Sequence, residues 1–244
     1  MEEAKKGNYN FVFVIAILVI LVLFAVVIYM FPTYNAKVIL ALELNESRNI
    51  SNNTDYYPYN SNISVVDDPL FGRVYSFLGR DYLKTKHNVN ATHGFSVSAF
   101  AYVDDNTNRN NLGIVSTSYQ RSDTGFRLKY RDFEDEDRIY VQVGNETLYG
   151  SIPNGACYRS WCHYAFTYNS DNGKVVIYGN GVRLGSHFTN PNVMLNNKIN
   201  IGNTIDINQE FFRGKIINVS VYDGILADSE VKEIAKALKG NTPQ

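Results

Sequence analysis

The sequence predicts an all-β domain, a two-sheet antiparallel sandwich, behind one N-terminal transmembrane helix and ahead of a short C-terminal helix. Three observations predict it. Aromatic residues make up 14% of the 244 positions, with 18 tyrosines and 14 phenylalanines, a bias toward the pleated surface of strands. Short β-prone runs recur from residue 37 onward, split by Asn/Asp/Gly clusters. Residues 11–31 form an unbroken apolar run.

That run, FVFVIAILVILVLFAVVIYMF, holds no charge, and its only polar group is the hydroxyl of Tyr29. At 1.5 Å per residue it reaches roughly 31 Å, one hydrocarbon core, where only a helix satisfies its own backbone. A soluble core helix of this length would carry a polar stripe, and none is present. A secretory signal peptide has a shorter apolar region followed by small residues. Here the run ends in Met30, Phe31, Pro32, Thr33 and Tyr34, so an uncleaved anchor in the lipid bilayer is expected. Lys5-Lys6-Gly7 resembles the processing site of type IV pilin-like proteins, although Asn8 after the glycine departs from it. Lys5 and Lys6 precede the run, and only Lys37 follows it closely. This bias places a cytosolic tail at 1–10 and the C-terminal domain in an extracellular or lumenal space. The organisation expected is tail 1–10, span 11–31, linker 32–36, β domain 37–238 and tail 239–244.

Ten strands are expected: 38–43, 74–78, 94–103, 113–118, 125–130, 138–143, 164–169, 174–179, 198–202 and 214–222. Turn clusters separate them, among them DDNTNRNN at 104–111, SDNG at 170–173 and GNG at 179–181. In FSVSAFAYV, alternation puts Phe95, Val97, Ala99, Ala101 and Val103 on one face. Gly181 fits a tight hairpin that needs positive φ. Asp228-Ser229-Glu230 opens VKEIAKALKG as a helix with a Ser/Asp-type start and Gly240 as its stop.

Composition excludes several functions. Lys+Arg is 23 and Asp+Glu is 24, a formal net charge of -1, so no bulk positive surface for nucleic acid exists. Two cysteines are too few for a disulfide scaffold or a multi-cysteine zinc site.

Four blocks carry a family resemblance. They are FGRVYSFLGRDYLKT at 71–85, GFSVSAFAYV at 94–103 with LGIVSTS at 112–118, WCHYAFTYN at 161–169 with VVIYGNGVRLGS at 175–186, and KINIGNT at 198–204 with FFRGKIINVSVYDGILADSEVKEI at 211–234. In this order they resemble the concanavalin A-like lectin/glucanase superfamily, specifically its laminin-G-like jelly rolls. The resemblance implies two antiparallel sheets packed face to face, and carbohydrate or protein binding through rim loops. Trp161 is expected to plug the core edge.

The superfamily includes glucanases, whose retaining chemistry needs two carboxylates about 5–5.5 Å apart. Glu134, Glu136 and Arg138 share one face of a strand, and Asp135, Asp137 and Ile139 the other, so the paired-acid spacing is absent. The cluster is expected to be a hydrated turn, and no enzyme is expected. His87, His93, His163 and His187 show no metal-ligand spacing, and His163 reads as a packed structural residue. The resemblance implies calcium as the one plausible ligand ion, with Asp104, Asp105 and Asp206 as oxygen donors; ordinary Asp turn chemistry is the plain alternative.

Cys157 and Cys162 flank Tyr-Arg-Ser-Trp, and an oxidising space would bond them; otherwise they are buried thiols. Sequons at Asn45, Asn49, Asn52, Asn62, Asn90 and Asn145 are glycosylation candidates; Asn218 lies inside a strand. Candidate contact residues lie at 119–123 and 56–60. The leading expectation is a non-enzymatic, membrane-anchored recognition module with a glycan or protein ligand. Against it stand a structural subunit contacting its neighbours, resembling minor capsid or membrane-linking proteins of large DNA viruses or a pilin-like filament, and a glycoside hydrolase.

Overall fold

The computed structural model describes residues 36–42, 56–59, 63–104, 112–117, 125–132, 136–153, 156–204 and 210–236. The expected span at 11–31 and both tails lie outside the described residues, among which no helix is long and apolar enough to cross a membrane.

Alternation builds the sandwich. Phe95, Val97, Ala99, Ala101 and Val103 all enter the central apolar cluster, as the period of two requires. Their strand, β7 (Phe95–Val103), is central in sheet A. The order there is β14 (Val182–Phe188), β13 (Lys174–Gly179), β12 (Trp161–Asn169), β7, β19 (Arg213–Asp223), β4 (Gly72–Leu78) and β3 (Ser64–Asp68). An additional strand, β1 (Lys37–Leu42), pairs with β19. Sheet B runs β11 (Glu146–Pro153), β10 (Glu136–Val143), β9 (Phe126–Asp132), β8 (Leu112–Thr117), β16 (Ile199–Ile201), β5 (Tyr82–Thr85) and β2 (Tyr56–Tyr59). Two small ribbons pair β6 (Val89–Ala91) with β15 (Leu195–Asn197), and β17 (Asn203–Thr204) with β18 (Glu210–Phe211). The ladders are antiparallel, and Phe77, Phe95, Phe126, Tyr130, Tyr164 and Phe166 fill the space between the sheets.

Each of the ten runs expected from the sequence overlaps a strand among the described residues. The strands that sequence patterning passes over are short or lie at sheet edges. ETLYGSIP in β11 and VRLGSHF in β14 bury little and each contain a glycine, so period-two alternation is faint in both.

A second apolar layer covers the outside of sheet A. Val74, Phe100, Trp161 and Ile217 cluster there, and Phe71 packs tilted against Phe100 and edge-on against Trp161, with ring centroids 5.4 and 4.8 Å apart. Trp161 therefore does not plug the core edge as expected. It begins β12 and faces outward, and its Nε1 donates to Asp68 Oδ1 at 3.1 Å. Helix α1 (Asp228–Ala235) lies over Ala165, Val176 and Tyr178 through Val231. Its N-cap is Ala227 rather than a Ser or Asp; the Ala227 amide donates to Glu230 Oε2 at 2.7 Å, half of a capping box. Gly181 turns the β13–β14 hairpin at φ +75, and a Cβ there would sit 2.8 Å from the Ala235 methyl, so the turn also receives the helix. Gly214, at φ +140, lets β19 pass where a Cβ would stand 2.0 Å from the Tyr102 carbonyl oxygen.

Candidate binding face and rim

Because the odd or even members of each sheet B strand go inward, the others form an outer face. In β10, Ile139, Val141 and Val143 are core residues, and Glu136, Arg138, Tyr140 and Gln142 point out. In β9, Phe126, Leu128 and Tyr130 are core, which turns Arg127, Lys129 and Arg131 outward. Register then aligns polar rows across the sheet: Thr147, Gln142, Arg127, Ser116, Asn200 and Lys84 stand opposite one another in turn.

Part of this face is roofed. The β17–β18 ribbon crosses β8 at Gly113, where a Cβ would lie 2.4 Å from the Thr204 amide nitrogen. Ser116 Oγ donates to the Asn203 carbonyl at 2.8 Å, and Lys129 Nζ bonds Glu210 Oε1 at 3.1 Å. Arg127 and Lys129 are thus buried despite facing away from the core. The open part lies over β10 and β11. There the Tyr140 and Tyr149 rings sit 5.9 Å apart, and the Arg138 guanidinium lies 4.6 Å from the Tyr149 ring centroid. Glu136 pairs with Arg138. Hydrogen bonds from Ser151 and Arg138 hold the Glu136 carboxyl below its usual range.

At one rim, β7 ends beside the start of β12 and of β19, which brings Asp104 next to the disulfide loop. The Asp104 amide donates to the Arg213 carbonyl at 3.3 Å, and Arg159 Nε approaches the Asp104 carbonyl at 3.5 Å. Cys157 and Cys162 are disulfide-bonded, with Cα atoms 5.6 Å apart. Within the closed loop Arg159 adopts φ 50, and its amide donates to the Val103 carbonyl at 3.0 Å. The calcium candidates Asp105 and Asp206 lie outside the described residues. Among the described residues no group of three His, Cys, Asp or Glu side chains is arranged to hold a metal.

The acidic run is not wholly the hydrated turn expected. Glu134 and Asp135 lie outside the described residues, whereas Glu136 and Asp137 begin β10 and Asp137 is 0% exposed. Sharing a face with Ile139 drives it inward, where polar groups stand in for water. The Tyr130 hydroxyl donates to Asp137 Oδ1 at 2.9 Å and the Cys157 amide to Oδ2 at 3.4 Å. Burial pushes the Asp137 carboxyl above the usual carboxylate range and the neighbouring Asp132 adds to it, although the two donors pull the other way. Burial raises the Tyr130 and Tyr164 hydroxyls as well.

His163 is structural, as its place in the sequence suggests. It is 0% exposed, its Nε2 shares a 2.9 Å hydrogen bond with Ser98 Oγ, and burial pushes its pKa down to about 4. Sequons Asn90 and Asn145 are exposed in strand β6 and in a turn; Asn45, Asn49, Asn52 and Asn62 lie outside the described residues. Of the contact windows, 119–123 lies outside them too, and in 56–60 Tyr56 is buried while Pro58 is exposed. Sequence reasoning missed Tyr140, Tyr149 and Arg138. The signal was there: in EDRIYVQV the polar and aromatic residues fall on the face opposite Ile139 and Val141.

A family model, concanavalin A-like lectin/glucanases superfamily of laminin G type, matches residues 77–232. The chain belongs to this superfamily. No curated protein matches it. Among solved structures, a heptameric SAP-like pentraxin from Limulus polyphemus is similar at 20% identity and TM-score 0.58, over 66% of this chain and 80% of that one. Domain 4 of AbnA, a GH43 extracellular arabinanase from Geobacillus stearothermophilus solved with arabinotriose, is similar at 20% identity and TM-score 0.61, over 82% and 98%. The receptor binding domain of botulinum neurotoxin D is similar at 16% identity and TM-score 0.60, over 82% and 52%. At these identities the likeness fixes the concanavalin A-like fold: a jelly roll whose relatives include carbohydrate- and receptor-binding domains.

Proposed function

We propose that this chain is a non-enzymatic, single-pass membrane-anchored jelly-roll module that recognises a carbohydrate or protein ligand outside the cytosol. The observation that carries this reading is the outer face of sheet B, a polar surface that opens over β10 and β11 onto Tyr140, Tyr149 and Arg138. Tyrosine rings offer flat apolar area with a polar tip, suited to sugars and to protein hot spots alike. Relatives of the same fold include a domain solved with arabinotriose and a receptor binding domain. The anchor rests on the uncharged run at 11–31, and the outward orientation on Lys5 and Lys6. The Cys157–Cys162 disulfide and the exposed sequons at Asn90 and Asn145 agree with an oxidising compartment. The non-enzymatic role rests on the sequence, where the paired-acid spacing of the superfamily's glucanases is absent.

The test is a glycan and protein array probed with the full chain in detergent, alongside alkaline extraction and protease protection of membranes carrying it. Specific capture, resistance to extraction and protection of the tail alone are expected. A soluble chain, or hydrolysis of β-glucans, overturns the reading. A second reading, an assembly subunit of a virion or filament, is favoured by exposed apolar groups at the edge of sheet A, Val182 at 62% and Phe188 at 70% exposure. Stoichiometric particles or filaments on purification would select it.

A further inference from the structure

We infer that Tyr140 and Tyr149 are an oxidative cross-linking site, where a haem peroxidase with hydrogen peroxide joins the two rings into an intramolecular dityrosine. The bond staples the edge strand β11 to β10. The pair lies on the face that the recognition reading uses, but the inference holds whether or not that face binds a ligand. Register comes first. Tyr140 and Tyr149 stand directly opposite one another in the β10–β11 ladder. That position fixes their Cβ atoms about 5 Å apart. Their ring centroids are 5.9 Å apart with the planes tilted by 39°, so the ring edges are already neighbours.

Both rings are also within an oxidant's reach. Tyr149 is 47% exposed on the strand at the edge of sheet B, and Tyr140 is half-buried. Tyr130 and Tyr164 stand nearly as close, at 6.2 Å, but both are sealed in the core at 0% exposure. Arg138 holds the exposed pair together. Its guanidinium hydrogen-bonds the Tyr140 hydroxyl and lies 4.6 Å from the Tyr149 ring centroid. In the reaction each phenol gives up one electron and its hydroxyl proton, leaving a phenoxyl radical with spin on the carbons beside the oxygen. A carbon–carbon bond then forms between one Cε of each ring. The hydrogen displaced from each bonding carbon returns to that ring's oxygen, so both phenols are restored. The net loss is two hydrogens, and hydrogen peroxide takes them up to become two waters. Holding the radicals face to face turns their coupling from a bimolecular into an intramolecular step.

The test treats the full chain in detergent, at about micromolar concentration, with a haem peroxidase and limiting hydrogen peroxide. A tethered partner at roughly millimolar effective concentration outcompetes a second chain by about a hundredfold or more. Dityrosine fluorescence should therefore appear in the monomer. A glutamate-specific protease cuts after Glu146 and parts the two tyrosines unless they are bonded. Mass spectrometry should find their peptides joined and lighter by two hydrogens. Tyr140→Phe and Tyr149→Phe should each lower the monomer signal about tenfold, because the remaining tyrosine loses its tethered partner. Tyr158→Phe, in the disulfide loop, should leave it within about twofold. Circular dichroism checks that each variant folds. Joined peptides that lack either residue, fluorescence confined to cross-linked dimers, or a full signal in Tyr149→Phe would overturn the site. So would a sample without dityrosine in which Met194, 57% exposed, has become the sulfoxide, since the oxidant then reached the chain.

Discussion

Removing the carboxylate of Asp68 tests the account of the outer layer on sheet A. The side chain is 6% exposed and gathers three donors: the Leu70 amide at 3.0 Å, Trp161 Nε1 at 3.1 Å and Lys215 Nζ at 3.1 Å. In Asp68→Ala the indole N–H stays buried without a partner, a loss of about 1–3 kcal/mol. The other two cost less, about 0.5–1 kcal/mol together, because water reaches the loop and the Lys215 side chain is 24% exposed and keeps the Tyr102 ring at 4.8 Å. The sum is about 1.5–4 kcal/mol, or roughly 3–16 °C in Tm for a domain of this size. Trp161 is the only tryptophan in the chain, so its fluorescence during urea unfolding reports from within the affected layer. The pH dependence has a definite sign. Burial opposes ionisation of Asp68, but the Leu70 amide, Lys215 and Trp161 outweigh it and hold its pKa below 3.8. The stabilisation is therefore complete at pH values above the unfolded pKa and fades as pH falls through the lower folded value. The gap between wild type and variant should be full at pH 7 and shrink in acid. A gap under about 0.5 kcal/mol at pH 7, or one that stays constant into acid, would refute the network as drawn.

Further outcomes follow from other sites. Replacing both cysteines, Cys157→Ser with Cys162→Ser, should cost about 2 kcal/mol in urea unfolding, the value for so short a closed loop; an unchanged midpoint would mean the loop is held by its hydrogen bonds alone. Gly113→Ala should destabilise the domain by about 1–3 kcal/mol and speed proteolytic cleavage within 203–211, because the methyl would meet the Thr204 amide; unaltered cleavage would show that the ribbon does not rest on β8. Asp137 has a raised pKa, so its ionisation weakens the fold as pH rises through that value. Asp137→Asn should accordingly gain stability relative to wild type between mild acid and neutral pH, and a relative loss over that interval would contradict the burial account.

Much of this architecture is readable from local pattern. Alternation in FSVSAFAYV decides which side chains of β7 meet the core, and the strands of EDRIYVQV and FRLKYRD sort their residues in the same way. The uncharged run at 11–31 and the ordered blocks from 71 to 234 likewise sit in the sequence itself. What periodicity does not hold is which distant residue completes a site. Lys129 meets Glu210 across 81 residues, and Asp68 meets Lys215 across 147. Such pairs depend on sheet order and register, set by the whole chain. The same reason explains Asp137: its inward face is legible, but only the arrival of Tyr130 and Cys157 makes a buried carboxyl tolerable there. Trp161 reads as a core plug because an indole is mostly apolar, and it becomes an outer-layer residue because Asp68 and Phe71 fold back to meet it. Sequence alone settled the ten main strands, the faces of those that alternate and the superfamily, since those follow from short-range side-chain geometry. Tertiary structure decided the roof over β8 and the second layer on sheet A, because each needs strands brought together from far apart in the chain.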